Sequence, residues 1–381
     1  MENECIGCGL CETMCHRKAI TIGEDEKGSF CKIDENLCDH CDICNKICPI
    51  EKIKVSEDMN MVRQVAVGRS KNKEVVRTSA SGGIVSEILM YLFDTGEIEA
   101  AIVAFHDKQA NIYGDVIESA DDVKKHSGSY YHTSKQLINV QKIRNYKKVA
   151  VVGLPCHIEG IINYCRLTKQ EGKVITIALF CTVGRTYKGF RKFFRMETGF
   201  DVATGNIAEY VSRYGEKKLM HIEDNEGNVY ECPDELYKYR MDFFYANRSC
   251  LDCRKLYGLS ADISVGDAWH RVVEKNGVKE KMAIISANSE EGDKVIKIIS
   301  KELDILAVSN GKIELLSSQM YGVGLKQKHT LLNVQLLRKL PKYRKYLDVP
   351  VLSGILFKYR NQILRSVEKD SQEVIKGINS K

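Results

Sequence analysis

The 381-residue sequence has no apolar run approaching the roughly 20 residues that cross a bilayer. Its longest runs, residues 98–105 and 174–180, have the length of strands. It lacks a leader pattern as well: the chain opens Met-Glu-Asn-Glu and then sets cysteines where an apolar segment would stand. No G-x-G-x-x-G follows an apolar run, so an ordinary dinucleotide-binding Rossmann site is not supported. No nucleic-acid motif accompanies the mild positive balance of +6, which by itself is weak evidence for an anionic partner. No repeat or low-complexity tract interrupts the chain. These absences, with 44% apolar and 28% charged residues, point to a soluble, cytoplasmic protein of two or three domains.

Cysteine, in contrast, is abundant, with fifteen in all. In a chain of this size and setting, metal ligation explains them better than disulfides do. Cys5, Cys8, Cys11 and Cys15 follow the spacing C-x2-C-x2-C-x3-C, and Cys38, Cys41, Cys44 and Cys48 repeat it, with Pro49 behind the last. A cubane iron–sulfur cluster needs four thiolates converging on one volume. A tight loop presents three, and in two-cluster ferredoxins the fourth is exchanged between the repeats. This assigns Cys5, Cys8, Cys11 and Cys48 to one [4Fe–4S] cluster, and Cys38, Cys41, Cys44 and Cys15 to the other. A zinc ribbon would need two C-x2-C pairs, not two complete quartets. His16 stands where the first repeat would carry proline, a residue that shapes the turn and is not a ligand. Residues 19–22 and 31–33 read as short strands about a turn, and Cys31 reads as a packed thiol.

Beyond residue 60 the pattern alternates between strands and helices. Residues 98–105, 148–152 and 174–180 read as buried strands, and residues 158–168 as a crossover helix between the last two. Residues 208–214, 219–223 and 228–232 read as a meander, and 282–287 with 291–299 as a strand–helix pair. Ser79, Ser81, Gly82 and Gly83 lead into a helix over 84–93. Hydroxyls and bare N–H groups there suit a phosphate, and ordinary N-capping by Ser81 explains them equally well. The segment Gly128-Ser129-Tyr130-Tyr131-His132-Thr133-Ser134 offers hydroxyls and rings to a planar cofactor; a polar loop with a buried tyrosine is the plain alternative. Cys156 and Cys181 each follow a strand, and Cys250 and Cys253 form a C-x2-C pair. Together the four either complete a third cubane or are core thiols with an idle pair. Cys165 and Cys232 read as structural.

These stretches bring a family into view. Residues 79–85 (SASGGIV), 128–134, 153–160 (GLPCHIEG), 179–181, 250–253 and 261–269 (ADISVGDAW) resemble, in order, the family of coenzyme F420 hydrogenase/dehydrogenase beta subunits. The resemblance spans roughly residues 75 to 270, and related members also carry an N-terminal two-cluster ferredoxin. It implies FAD in the body with a [4Fe–4S] cluster beside it, whose cysteines map onto Cys156, Cys181, Cys250 and Cys253. It implies FAD contacts from Ser79, Ser81, Gly82, Gly83, Gly128, Ser129, Tyr131 and Ser134, with Gly153, Pro155, Gly266 and Asp267 near the cofactor. Tyr130, where relatives are often basic, and His157, in place of a common glutamine, leave the substrate open.

The expected fold class is α+β: a bacterial-type ferredoxin module (1–60), a mixed α/β FAD-binding domain (61–320) and a basic, mostly helical extension (321–381). The implied activity is an FAD- and iron–sulfur-dependent oxidoreductase. It would carry electrons between a hydride carrier such as coenzyme F420 and a ferredoxin or a hydrogenase/dehydrogenase subunit. The cofactors do the chemistry, so no acid–base residue is nominated. The alternatives are a ferredoxin-dependent FAD reductase of another organic substrate and a non-catalytic electron relay. Between Lys326 and Arg365 ten basic residues face one acidic residue, Asp348. A solvated basic tail is favoured there over a peripheral membrane contact or an acidic partner.

Overall fold

The computed structural model describes residues 4–25, 28–215, 219–233, 245–268 and 281–309, with positions 319, 362 and 369 beyond them. The expected basic extension lies outside the described residues apart from those last two positions. Among the described residues no helix is long and apolar enough to cross a membrane.

The N-terminal module holds α1 (Leu10–Met14), a hairpin of β1 (Ile20–Asp25) and β2 (Gly28–Ile33), α2 (Ile43–Ile47) and α3 (Ile50–Ile53). Its two cysteine loops are built alike. Gly7 and Gly9 take left-handed φ values of 83° and 81°, and His40 and Asp42 hold the matching places in the second loop at 55° and 63°. Such a loop needs two left-handed residues to curl its sulfurs inward, and glycine or Asx adopts them at least cost. At Gly7 space also decides, because a Cβ there would lie 2.6 Å from the Ser29 hydroxyl oxygen.

The body contains a nine-stranded mixed sheet. In chain order come β3 (Gln64–Ser70), α4 (Lys73–Thr78), α5 (Ile84–Asp94), β4 (Ala100–His106), β5 (Ile112–Ile117), α6 (Ala120–Lys125), β6 (Ser134–Lys135), β7 (Val149–Gly153), α7 (Pro155–Thr168) and β8 (Val174–Leu179). Then follow α8 (Tyr187–Thr198), β9 (Ile207–Tyr214), β10 (Leu219–Asp224), β11 (Val229–Pro233), β12 (Ile263–Asp267), β13 (Ala283–Ala287), α9 (Glu290–Ile299) and β14 (Leu303–Ser309). The sheet order is β14-β3-β13-β12-β8-β7-β4-β5-β6, and β9 to β11 form a separate three-stranded sheet.

Strands β4, β7, β8 and β12 run parallel. Their carboxyl ends therefore share one edge, where open α/β sheets hold ligands. The expected strand–helix–strand unit is β7-α7-β8, and its helix starts at Pro155, three residues earlier than its apolar period suggests. Proline fits the first helical position, where no N–H is needed. The strands β3, β5, β6, β12 and β14 have no counterpart among the sequence expectations.

One face of the large sheet packs on Ile84, Ile88, Leu89 and Leu92 of α5 and on Val295, Ile296 and Ile299 of α9. The opposite face packs on α7 and on the ferredoxin helices. There Leu10, Ile47 and Ile53 join Ile102, Val149, Leu137, Ile161 and Tyr164 in one apolar cluster. Polar links reinforce the joint: Leu137 donates to the Cys8 carbonyl at 2.8 Å, and Arg254 to the Ile53 carbonyl at 2.7 Å. Glu24 accepts from the N–H groups of Tyr187 and Lys188 at the start of α8, both at 2.9 Å. The module is thus a wall of the body's core. A chain lacking residues 1–60 leaves that apolar face bare; it is expected to be insoluble on expression, and a soluble monomer by size-exclusion chromatography would contradict this packing.

Candidate functional site

The first cysteine loop faces inward and the second faces solvent. Cys8 is buried, whereas Cys41 is exposed and Cys38 and Cys44 are partly so. Burial pushes the Cys5 thiol up to about 12, with the Gly7 N–H opposing the rise and the nearby Cys31 and Cys48 sulfurs adding to it. Burial likewise raises Cys8, which feels Cys5 and Cys48. Cys48 lies near the sulfurs of Cys5 and Cys8 and near those of Cys31 and Cys44 as well. Backbone N–H groups aim at the sulfurs: Gly7 at Cys5 and Ala19 at Cys15, each at 3.3 Å. Such bonds help set the potential of a cluster. Cys31 is buried between the loops, its Sγ 4.0 Å from that of Cys11.

Cys156, Cys181, Cys250 and Cys253 line a single cavity of about 40 Å3, together with Ile6, Ile53, Ser134, Pro155, His132 and His157. A single water needs roughly 10–15 Å3 on the same measure, so there is room for several atoms among the sulfurs. Burial raises the Cys156 thiol, and the sulfurs of Cys181, Cys253 and Cys250 add to it in that order, followed by Cys8. Two of the four leave the carboxyl ends of β7 and β8, and Cys250 and Cys253 come from a loop 69 residues or more further along the chain. The Gly184 N–H lies 3.3 Å from the Cys250 sulfur, and a Cβ on Gly184 would stand 3.2 Å from it. The positive end of the 14-residue helix α7 also opens at the cavity through Pro155 and Cys156. Four thiols in an apolar pocket, met by N–H groups and a helix N-terminus, form a donor set that fits an iron–sulfur cluster.

Glu57, which the sequence gives no reason to single out, holds the chain that follows Cys253 and Lys255. Its carboxylate accepts four successive backbone N–H groups, from Leu256 and Tyr257 (2.8 Å each), Gly258 (2.5 Å) and Leu259 (2.9 Å). The Cys181 N–H in turn donates to the Leu256 carbonyl at 2.9 Å. The loop behind Cys253 is therefore pinned to the ferredoxin side of the molecule.

The candidate FAD residues divide into two groups. Ser134 and Pro155 line the cysteine cavity, and Gly153 packs on His157. The others gather around a cation the sequence did not reveal, Arg213. Its side chain is buried and ion-paired with Asp267; burial disfavours the cation, but Asp267 and Tyr131 hold it charged. Lys281 donates to the carbonyls of Ser79 at 2.7 Å and Arg213 at 3.3 Å. Ser129 pairs with Ser212 beside it, and the Arg185 guanidinium lies over the Tyr131 ring at 5.8 Å. Arg213 also holds a left-handed φ of 61°, rare for so large a residue and typical of functional sites. Gly128 has a φ of 125° and meets Val211, and Gly266 is pressed against the Phe180 ring.

Ser81 does not cap α5. Its hydroxyl donates to the Met282 carbonyl at 2.8 Å, and Gly83 takes the cap position at φ 77° without a side-chain bond. The N-capping alternative for Ser81 thus fails, and among the described residues no side chain caps the start of α5. The buried Ser79 hydroxyl has no partner among the described residues. An orphaned hydroxyl, an uncapped helix start and buried cations fit an anionic cofactor there. His132 joins the two groups: adjacent in chain to Tyr131, it lines the cysteine cavity and stacks on Phe190 at 4.4 Å. Burial pulls its imidazole down to about 4, so it is neutral near pH 7.

Residues 65–141 match the N-terminal model of the coenzyme F420 hydrogenase/dehydrogenase beta subunit, and residues 146–310 match its C-terminal model. The chain belongs to that family. Residues 4–52 match a 4Fe–4S dicluster domain, so the family body here carries an iron–sulfur module in front of it. One component of the F(420)H(2) dehydrogenase of Methanosarcina mazei, its F subunit, is 24% identical over 300 residues, covering 73% of this chain and 80% of that one. The coenzyme F420 hydrogenase subunit beta of Methanothermobacter thermautotrophicus is 22% identical over 274 residues, covering 68% and 90%. The coenzyme F420-dependent sulfite reductase of Methanocaldococcus jannaschii is 27% identical over 211 residues, covering 49% and 30%. A chain of the F420-reducing [NiFe] hydrogenase complex of Methanosarcina barkeri superposes with a TM-score of 0.49 at 20% identity, over 76% of this chain and 91% of that one.

Removing the Glu57 carboxylate leaves four N–H groups without their acceptor. Glu57→Ala is expected to destabilise the protein by about 3 kcal/mol or more. Anaerobic denaturant unfolding checks this, and a midpoint within error of the wild type would contradict the assigned role.

Proposed function

We propose that the protein is an iron–sulfur flavoprotein oxidoreductase. In this reading it carries electrons between a hydride carrier of the coenzyme F420 type and a protein redox partner, either a ferredoxin or a hydrogenase/dehydrogenase subunit. The observation that carries the reading is the cavity that gathers Cys156, Cys181, Cys250 and Cys253 beside the Cys8 loop. The sulfurs then form a continuous series. Cys8, Cys11, Cys48, Cys156 and Cys253 all pack in one cluster, which Ile43 beside Cys44 also joins. One end of the series is exposed at Cys41, where a partner can approach, and the other adjoins the residues around Arg213.

When bound, FAD supplies two-electron exchange with a hydride carrier, and the three [4Fe–4S] clusters supply one-electron conduction. The chain's own residues orient and shield. Cys5, Cys8, Cys11 and Cys48 hold the inner cluster of the module, Cys15, Cys38, Cys41 and Cys44 the outer one, and the cavity cysteines the third. Ile6 and Ile53 exclude water from the third site, and the N–H of Gly184 and the first turn of α7 face its negative charge. The Ser79 hydroxyl and the start of α5 bind the anionic part of FAD, and Lys281 holds the Ser79 and Arg213 backbones together beside it. Arg213, fixed by Asp267 and Tyr131, orients it against the sheet edge. His132 and His157 are both buried, and burial draws their imidazoles down to about 4, so they are neutral near pH 7.

Anaerobically purified protein is expected to contain about twelve irons and one FAD per chain, and Cys181→Ala or Cys250→Ala about eight irons. Reduced F420 is expected to bleach the flavin band. Bound flavin that ignores reduced F420 would move the reading to a ferredoxin-dependent reductase of another organic substrate. About eight irons without flavin in the wild type would leave an electron relay. In a separate test, Arg213→Met is expected to lower the flavin content at unchanged iron; equal flavin in variant and wild type would remove Arg213 from the site.

A further inference from the structure

Away from the cysteines, the three-stranded sheet brings together a different set of ligand-bearing residues. On β9 and β10, Glu209 and Glu223 stand directly opposite each other, and His221 is two residues from Glu223 on the same strand. Side chains two apart on a strand share a face. Across the other edge of β10, His221 stands opposite Glu231 of β11. The opposite face of this sheet, with Tyr210, Met220, Ile222 and Cys232, belongs to the apolar core. Glu209, His221 and Glu223 can each direct one ligand atom so that all three lie within 4.8 Å of one another.

Three features distinguish this cluster from scattered surface charge. Like charges directly opposite on an antiparallel pair destabilise the pairing, yet neither Glu209 nor Glu223 has an ion-pair partner among the described residues. His221 is only 6% exposed although it lies on the outer face, because the Tyr214 ring stacks on it at 4.4 Å. Its Nδ1 meets the Glu231 carboxylate at 2.9 Å. A carboxylate behind one ring nitrogen is the arrangement that orients a metal-binding imidazole and leaves the other nitrogen to the metal. The pairing of β9 with β10 also shifts register on either side of the trio, between Leu219 and His221 and between Glu223 and Asp224, and such bulges re-aim side chains.

We propose that Glu209, His221 and Glu223 bind a divalent cation of the Mn2+ or Zn2+ class, with Glu231 as the positioning residue behind His221. One imidazole and two carboxylates suit borderline and hard divalent ions, and three protein ligands leave positions for water. The ion neutralises the opposed glutamates and clamps β9 to β10, the strand pair that carries Arg213 four residues beyond Glu209. The site is separate from the iron–sulfur cysteines and does not depend on their assignment.

The test uses the full-length, cluster-containing protein, treated anaerobically with a chelator and then titrated with MnCl2. Binding is read as loss of the free Mn2+ signal in electron paramagnetic resonance. The wild type is expected to take up about one Mn2+ per chain, whereas His221→Gln and Glu223→Gln show no saturable uptake. Glu231→Gln is expected to bind about 10- to 100-fold more weakly. Each variant should keep the wild-type iron content, which reports that it is folded. A second readout has opposite signs. With chelator present, Glu223→Gln melts above the wild type because the like-charge pair is gone, and Mn2+ raises the melting point of the wild type alone. Absence of Mn2+ uptake by the wild type, or uptake unchanged in Glu223→Gln, would overturn the site. So would a Glu223→Gln variant that melts below the wild type in chelator.

Discussion

Four sulfurs from three distant stretches of chain must meet in one small apolar space, and much of the architecture follows from that requirement. Two of them meet because β7 and β8 are parallel neighbours, so the residues after each strand emerge on one edge. The other two arrive on a loop with no regular ladder to hold it. The Glu57 carboxylate supplies that hold through four backbone N–H groups. Ile6 and Ile53 close the cavity from the ferredoxin side. The module is therefore part of the site it serves. Its attachment through apolar burial and short hydrogen bonds keeps the sulfurs of Cys8 and Cys156 near each other.

The same edge collects a second set of residues for a different reason. The start of α5, the end of β12 and the segment 129–134 arrive there because the strands beneath them are aligned. Arg213 then knits them together from the separate three-stranded sheet. A buried arginine with left-handed backbone, an ion pair to Asp267 and a phenol beside it is costly to place. Such cost is commonly met at binding sites rather than in passive cores. Family membership and the dicluster module agree with an electron-carrying role for the protein.

How much of this could be read from the sequence depended on how local the signal was. The cysteine quartets were legible because a cubane loop is defined by spacings of two and three residues. The strands β4, β7, β8 and the β9–β11 meander were legible from apolar runs and turn residues, with ends displaced by a residue or two. The strand β12 was not, since Ile263–Asp267 is short and ends in glycine and aspartate. Cys156, Cys181, Cys250 and Cys253 could be grouped only as one of two readings, because their meeting depends on strand order. Arg213, Lys281 and Glu57 carried no signal: their partners lie 54, 202 and about 200 residues away. Ser81 was misleading for the opposite reason. Its local sequence suits a cap, but the Met282 carbonyl on a neighbouring segment claims the hydroxyl.

The central claim is that three clusters lie in series, with the Cys8 cluster between the exposed one and the one in the sheet-edge cavity. Electron paramagnetic resonance of the fully reduced protein tests this most directly. The account predicts signals integrating to about three spins per chain, broadened by coupling between neighbours, and loss of about one spin in Cys181→Ala. About two spins in the wild type, unaltered by Cys181→Ala, would contradict it.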